Sequence, residues 1–149
     1  MPSAGATGCR EGGCMGRRRW RDGVGVLAVV GPDGERVRVP LEVASSYRAR
    51  TKGLLGRDSV DGAMLLTPAS GVHTFRMRMA IDVAYLDRRL NVVAVRSMRP
   101  GRLGRPRLRA RHVLEAEVGA MGEWGVRVGA RVEVVEGPAA SVGGAGRRG

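Results

Sequence analysis

At 149 residues and 43% hydrophobic side chains, the chain has the length and apolar content of one globular domain with a continuous core. With only two cysteines and no apolar run near the roughly 18 residues of a membrane span, it is neither a disulfide-stapled mini-domain nor a helical membrane protein. The net charge of +12, on 26 Lys and Arg of which only Lys52 is lysine, predicts attraction to polyanions such as nucleic acid or an anionic membrane surface.

The Arg bias, beside 24 Gly and abundant Val and Ala, also matches the coding habit of a GC-rich genome. Charge therefore speaks of association and does not establish function. Aromatics are 3% of the chain, so the core is built from Val, Leu, Ala and Met.

Residues 1–22 are rich in Gly and Arg without periodicity, which predicts a disordered tail. Its Cys9 and Cys14 fit no zinc spacing and are read as free thiols; a disulfide between them would close only a small loop outside the core. After Arg17-Arg18-Arg19 the apolar stretch Val24–Val30 is too short for a signal peptide, so a cytoplasmic protein is expected.

Val24–Val30 and Arg36–Val43 flank Gly31-Pro32-Asp33-Gly34 and predict a hairpin. In its second strand Val37, Val39, Leu41 and Val43 alternate with polar residues, and Pro40 assigns that strand to a sheet edge. Ser45–Lys52 reads as a short helix, capped by Ser45 or Ser46 and ended by Gly53. Ala63–Leu66 is a short strand stopped by Pro68.

His73–Met79 alternates again, with Phe75, Met77 and Met79 on one face and Thr74, Arg76 and Arg78 on the other. Ile81–Leu86 and Val92–Arg96 form a second hairpin, in which Asn91 supplies the left-handed turn residue. Residues 99–111 hold six Arg, two Pro and no acid, which makes them an exposed loop. His112–Val118 and Arg131–Val135 are the last strands, with a turn or short helix over Gly119–Gly125. Residues 24–135 are thus one mainly β domain, a small antiparallel sandwich or barrel with one or two short helices. Residues 137–149 form a second disordered Gly/Ala/Arg tail.

Five ordered blocks carry a family likeness: Gly53-Leu54-Leu55-Gly56-Arg57, Ala63-Met64-Leu65-Leu66, His73-Thr74-Phe75-Arg76-Met77-Arg78, Ile81-Asp82-Val83-Ala84-Tyr85-Leu86-Asp87, and His112-Val113-Leu114-Glu115 before Gly119. Gly125-Val126 and Gly129 extend it. From roughly Leu41 to Val135 the chain resembles the widespread bacterial and archaeal family catalogued as domain of unknown function 192. The resemblance implies a compact β-sandwich-like domain and no particular activity. Many members carry export signals or lipid anchors, neither of which is read here. Leu55 replaces the family's usual Met, Arg76 stands where Trp is common before the Met, and Met79 stands where Asn is common.

Arg76, Arg78 and Asp82 project to one face if strand parity holds, and two guanidiniums beside a carboxylate could clamp an anionic ligand. The plainer reading is an Asp82–Arg ion pair on a solvated face. Arg50 and Arg57 flank the helix end at Gly53, where a cation suits the helix terminus. Both also fall on motif positions, so Arg50, Arg57, Arg78, Asp82 and Glu115 make up one candidate ligand pocket.

His73 and His112 start strands with no cluster of Cys, Asp or Glu at metal spacing, so no metal or cofactor is expected. Ser97, His112 and Asp87 could be assembled on paper into a hydrolytic triad, but nothing resembles a nucleophile elbow. The function expected is a non-enzymatic binding or accessory module with a small polar pocket. The alternative is sequence-blind nucleic-acid binding through Arg99, Arg102, Arg105, Arg107, Arg109 and Arg111, although that loop has no aromatic for base stacking.

Overall fold

A computed structural model of the chain describes residues 19–136. Cys9, Cys14, the first 18 residues and the tail over 137–149 lie outside the described residues. At the end of the stretch read as a disordered tail, Trp20 and Asp22 contact the domain. Trp20 lies edge-on to the His112 ring at 5.3 Å. The Asp22 carboxylate accepts from the backbone N–H groups of Ser45 and Ser46 at 2.6 and 2.8 Å.

Seven strands form one curled sheet: β1 Gly23–Val30, β2 Arg36–Ala44, β3 Ala63–Leu66, β4 Ile81–Leu86, β5 Val92–Met98, β6 His112–Glu117 and β7 Arg131–Glu136. Their order is β5-β4-β6-β3-β2-β1-β7. Every pair is antiparallel except β2 with β3, which run parallel. A parallel pair needs a long connection, and here it contains helix α1, Tyr47–Lys52. Ser46 caps α1 by accepting from the Ala49 N–H at 3.1 Å, and Gly53 ends it, as its sequence predicts. Helix α2 is the single turn Ala120–Glu123.

The curl brings the sheet's two edges together at one end. Asn91 pairs with Arg131, Val92 donates to the Ala130 carbonyl, and Val132 donates to the Leu90 carbonyl. The result is a half-barrel with an inner and an outer layer. Leu27, Leu41, Leu65, Leu86 and Leu114 fill the inner layer, sealed by Met121 of α2. The outer layer buries Met64, Ile81, Val83, Tyr85 and Val113 beneath Leu54, Val72 and Met77 from the connecting segments. Both faces of β4 are covered, which is why all six of its residues are buried.

Three local expectations are corrected. Pro40 lies in an interior strand; the ladder with β3 begins only at Leu41, so the missing proline N–H costs no bond on that side. The 73–79 stretch is a turn and not a strand: His73 makes one isolated bridge to Leu103, and Arg76 adopts φ 60. Alternation there is coincidental, and Phe75 is 47% exposed while Thr74 is fully buried. In the second hairpin the left-handed residue is Leu90 (φ 64), not Asn91. Asp87 holds that turn by accepting from the N–H groups of Arg89 and Asn91.

Candidate functional site

Strand parity decides where the candidate side chains go. On β6, Leu114 and Ala116 point into the half-barrel, so Val113 and Glu115 point to the outer layer. On β4, Asp82 shares the inward parity of Ala84 and Leu86. Glu115 and Asp82 therefore stand on opposite faces of the sheet, as the pairing of Asp82 with inward-facing Ala116 also requires.

The five residues read as one pocket consequently separate. Arg57 makes a two-pronged ion pair with Glu42, both contacts 2.9 Å, and those bonds hold its pKa above the ordinary guanidinium value. Arg78 reaches Asp58 at 3.3 Å on the exposed surface. Asp82 makes no ion pair among the described residues. It accepts from the Ser97 hydroxyl at 2.6 Å and from the Gly119 N–H at 2.9 Å, tying β4, β5 and the start of α2 together. Of the five, Arg50 and Glu115 line one cleft together.

That cleft, about 80 Å³, lies between the end of α1 and the 71–77 segment. Leu54, Leu66, Val72 and Met77 form its apolar walls, and Arg50, Lys52 and His73 its polar rim. Glu115 lies at its floor, 3% exposed. No hydrogen bond or ion pair to its carboxylate is found among the described residues, and burial alone pushes its pKa up to about 7. Arg50 is occupied elsewhere, donating to the Pro68 carbonyl at 2.7 Å. Gly53 closes over the carboxylate: a Cβ there would stand 3.8 Å from Glu115 Oε2.

A buried carboxylate without a donor is costly, and Glu115 meets that cost by holding its proton to higher pH than an exposed carboxyl does. Its signal in the sequence was faint. A lone Glu among the apolar residues Val113, Leu114 and Ala116 marks a buried position, but nothing local says that no partner meets it.

The loop Arg divide between two surfaces. Arg99, Arg102, Arg105 and Arg107 join Arg96 around a groove of about 710 Å³ floored by Tyr85. Arg109 and Arg111 lie on another side, beside Asp87, Arg88 and Arg89. Sequence reasoning missed Arg96, because it sits on β5 and only the fold brings it to the loop.

The paper triad is dispersed. Ser97 bonds Asp82, Asp87 holds its own turn, and the His112 ring is 2.7 Å from the Thr67 hydroxyl. Among the described residues no three of His, Cys, Asp or Glu gather as metal ligands, and no helix is long and apolar enough to cross a membrane.

Residues 28–134 match the model of the family domain of unknown function 192, described as Uncharacterized ACR. A UPF0127 protein of Pyrococcus abyssi is 32% identical over 98 residues, covering 62% of this chain and 84% of that protein. One from Pyrococcus furiosus is 29% identical over 105 residues, covering 67% and 90%. Among solved structures, a protein of unknown function from Novosphingobium aromaticivorans has a TM-score of 0.66 at 20% identity, covering 74% of this chain and 84% of that one. A protein named "putative transcription regulator" from Sinorhizobium meliloti has a TM-score of 0.67 at 17% identity, covering 78% and 98%. At these identities the structural likeness concerns the fold.

Proposed function

Because the chain belongs to the family domain of unknown function 192, which assigns no chemistry in advance, we propose from its own geometry that it is a binding module whose site is the Glu115 cleft. The observation that carries this reading is the buried, undonated carboxylate at the cleft floor. A small ligand with an ammonium or N–H group would supply the missing donor. An anionic group on the same molecule would face Lys52 and the N–H groups of Arg50 that Pro68 leaves over at the rim. Binding is favoured over turnover, since among the described residues no nucleophile or second acid is hydrogen-bonded to Glu115. We place the protein in the cytoplasm as part of the same reading, its Cys-free domain folding without oxidation.

The test is a thermal-shift and calorimetric comparison of glycine, methylammonium and acetate at about pH 8, where the carboxyl is mostly ionised. Glycine and methylammonium should raise the melting temperature, acetate should not, and Glu115→Gln should abolish the response. An equal response to acetate, or binding that survives in Glu115→Gln, would remove the proposal.

A second reading, polyanion binding, rests on the separate Arg groove. None of its five Arg is in an ion pair among the described residues. The matching test is binding of an oligonucleotide across salt: affinity insensitive to ionic strength would exclude a phosphate-driven mode.

A further inference from the structure

We infer that the Arg groove is the backbone track for single-stranded nucleic acid and that Phe75 is the platform for one of its bases. This rests on the polyanion reading and adds the kind of nucleic acid to it.

The groove is a built surface. The buried Thr74 hydroxyl donates to the Arg99 carbonyl at 2.6 Å and accepts from the Arg102 N–H at 2.9 Å. The backbone adds Thr74 N–H to the Arg102 carbonyl, Gly104 N–H to that of Val72 and Arg107 N–H to that of Ser70, all 2.8–2.9 Å. Guanidiniums carried on a pinned loop lose less freedom when they meet phosphates than guanidiniums on a free tail.

Arg107 is fixed further. Its guanidinium lies 5.7 Å from the centre of the Tyr85 ring, and its Nε is buried with no hydrogen-bond partner. With Nε buried, the terminal N–H groups of Arg107 are the ones left to meet a phosphate, in a groove with no acidic lining residue.

The same seam holds the aromatic that the loop lacks. His73 bridges to Leu103 on the groove wall, and Phe75 stacks on His73 with centroids 5.2 Å apart and planes 20° from parallel. Phe75 remains 47% exposed, with exposed Arg76 and Arg78 beside it. An exposed ring backed by a second ring, next to a cationic groove, is how sequence-tolerant single-strand binders hold bases. A duplex keeps its base faces covered and leaves Phe75 nothing to stack on.

The experiment is fluorescence anisotropy of the full chain with a labelled oligo-deoxythymidine of about 12 nucleotides, against a duplex of equal length and inorganic polyphosphate. Expected are preference for the single strand and a loss of roughly 100-fold in affinity between about 50 and 200 mM salt with all five charges engaged. Phe75→Ala should weaken single-strand binding about tenfold and leave polyphosphate binding unchanged. The double variant Arg102→Ala, Arg105→Ala should reduce the log–log salt slope by roughly 1.4. All the substituted side chains are exposed, and an unchanged melting temperature checks that each variant folds. Salt-sensitive binding with equal affinity for all three probes and no effect of Phe75→Ala would overturn the single-strand assignment and keep the polyanion reading. Salt-sensitive binding that the double variant leaves untouched, or no binding at low salt, would overturn both.

Discussion

Glu115 links the site to stability. Its carboxyl has a pKa of about 7 in the folded chain against an ordinary 4.5, and burial is the cause. A carboxyl whose folded pKa lies above its unfolded one is protonated more readily in the folded state. Folding stability is therefore lost as pH rises from about 4.5 to about 7 and stays low above that. At 1.36 kcal/mol per pKa unit the loss is on the order of 3 kcal/mol. Glu115→Gln removes the titration while keeping the shape. Its melting temperature should match the wild type near pH 4 and exceed it by several degrees near pH 8. A difference that does not vary with pH would mean that the carboxylate is already satisfied.

Asp82 is the contrasting acid, since its two oxygens have partners in Ser97 and Gly119. Asp82→Ala would leave the Gly119 N–H without its acceptor and should cost about 3 kcal/mol, with Asp82→Asn recovering part. Urea denaturation measures both. Loss of ligand response in Asp82→Ala without loss of stability would restore the residue to a binding role.

β2 was legible because its apolar residues recur at period two, and β3 and β4 because they are short, mostly apolar runs bounded by turn residues. β1, β2, β3 and the β4–β5 hairpin begin and end within about two residues of where composition and turn residues place them. The 73–79 segment defeated the same rule: Phe75 and Met77 alternate with Arg, but φ 60 at Arg76 turns the chain, exposing Phe75 and burying Thr74. Periodicity records side-chain type, and it is blind to a backbone reversal within the run. Pro40 was misplaced for a related reason, since its tolerance depends on where the neighbouring β3 ladder starts.

Gly62 sets that start. It has φ 78, and a Cβ on it would stand 2.1 Å from the Pro40 carbonyl oxygen, against backbone that cannot swing away. Gly62→Ala should therefore destabilise by more than about 2 kcal/mol. Gly122, in α2 with nothing within 4 Å of its would-be Cβ, should accept Ala with a gain of up to about 1 kcal/mol. Equilibrium denaturation of the two variants compares them directly. Equal effects would mean that the β2–β3 junction yields under strain.

The candidate pocket was less legible than the fold because it depends on distances across the sheet. Arg57 and Glu42 are 15 positions apart, Arg78 and Asp58 20, and each Arg is paired with an acid other than Glu115. Parity then sends Asp82 to the other face. What survives is one acid, Glu115, in one cleft, and one groove whose charge is drawn from β5 as well as from the loop.

That charge has a cost when the groove is empty. The formal net charge is +12, and the three ion pairs among the described residues are partly or wholly exposed, worth roughly 0–1 kcal/mol each. Five guanidiniums around one groove, unopposed by acid, repel one another over distances shorter than the Debye length of about 30 Å at 0.01 M salt. Near 0.15 M that length falls to about 8 Å and much of the repulsion is screened. Repulsion should outweigh the weak pairs, so the melting temperature should rise by a few degrees between those salt concentrations. Arg102→Glu sharpens the test, because it places an acid inside the groove. The variant should be more stable than wild type at low salt, and the gap should close as salt is added. A wild-type melting temperature that falls with salt would show that the Arg57–Glu42, Arg36–Glu133 and Arg78–Asp58 attractions dominate, and that the groove is electrostatically relaxed without a ligand.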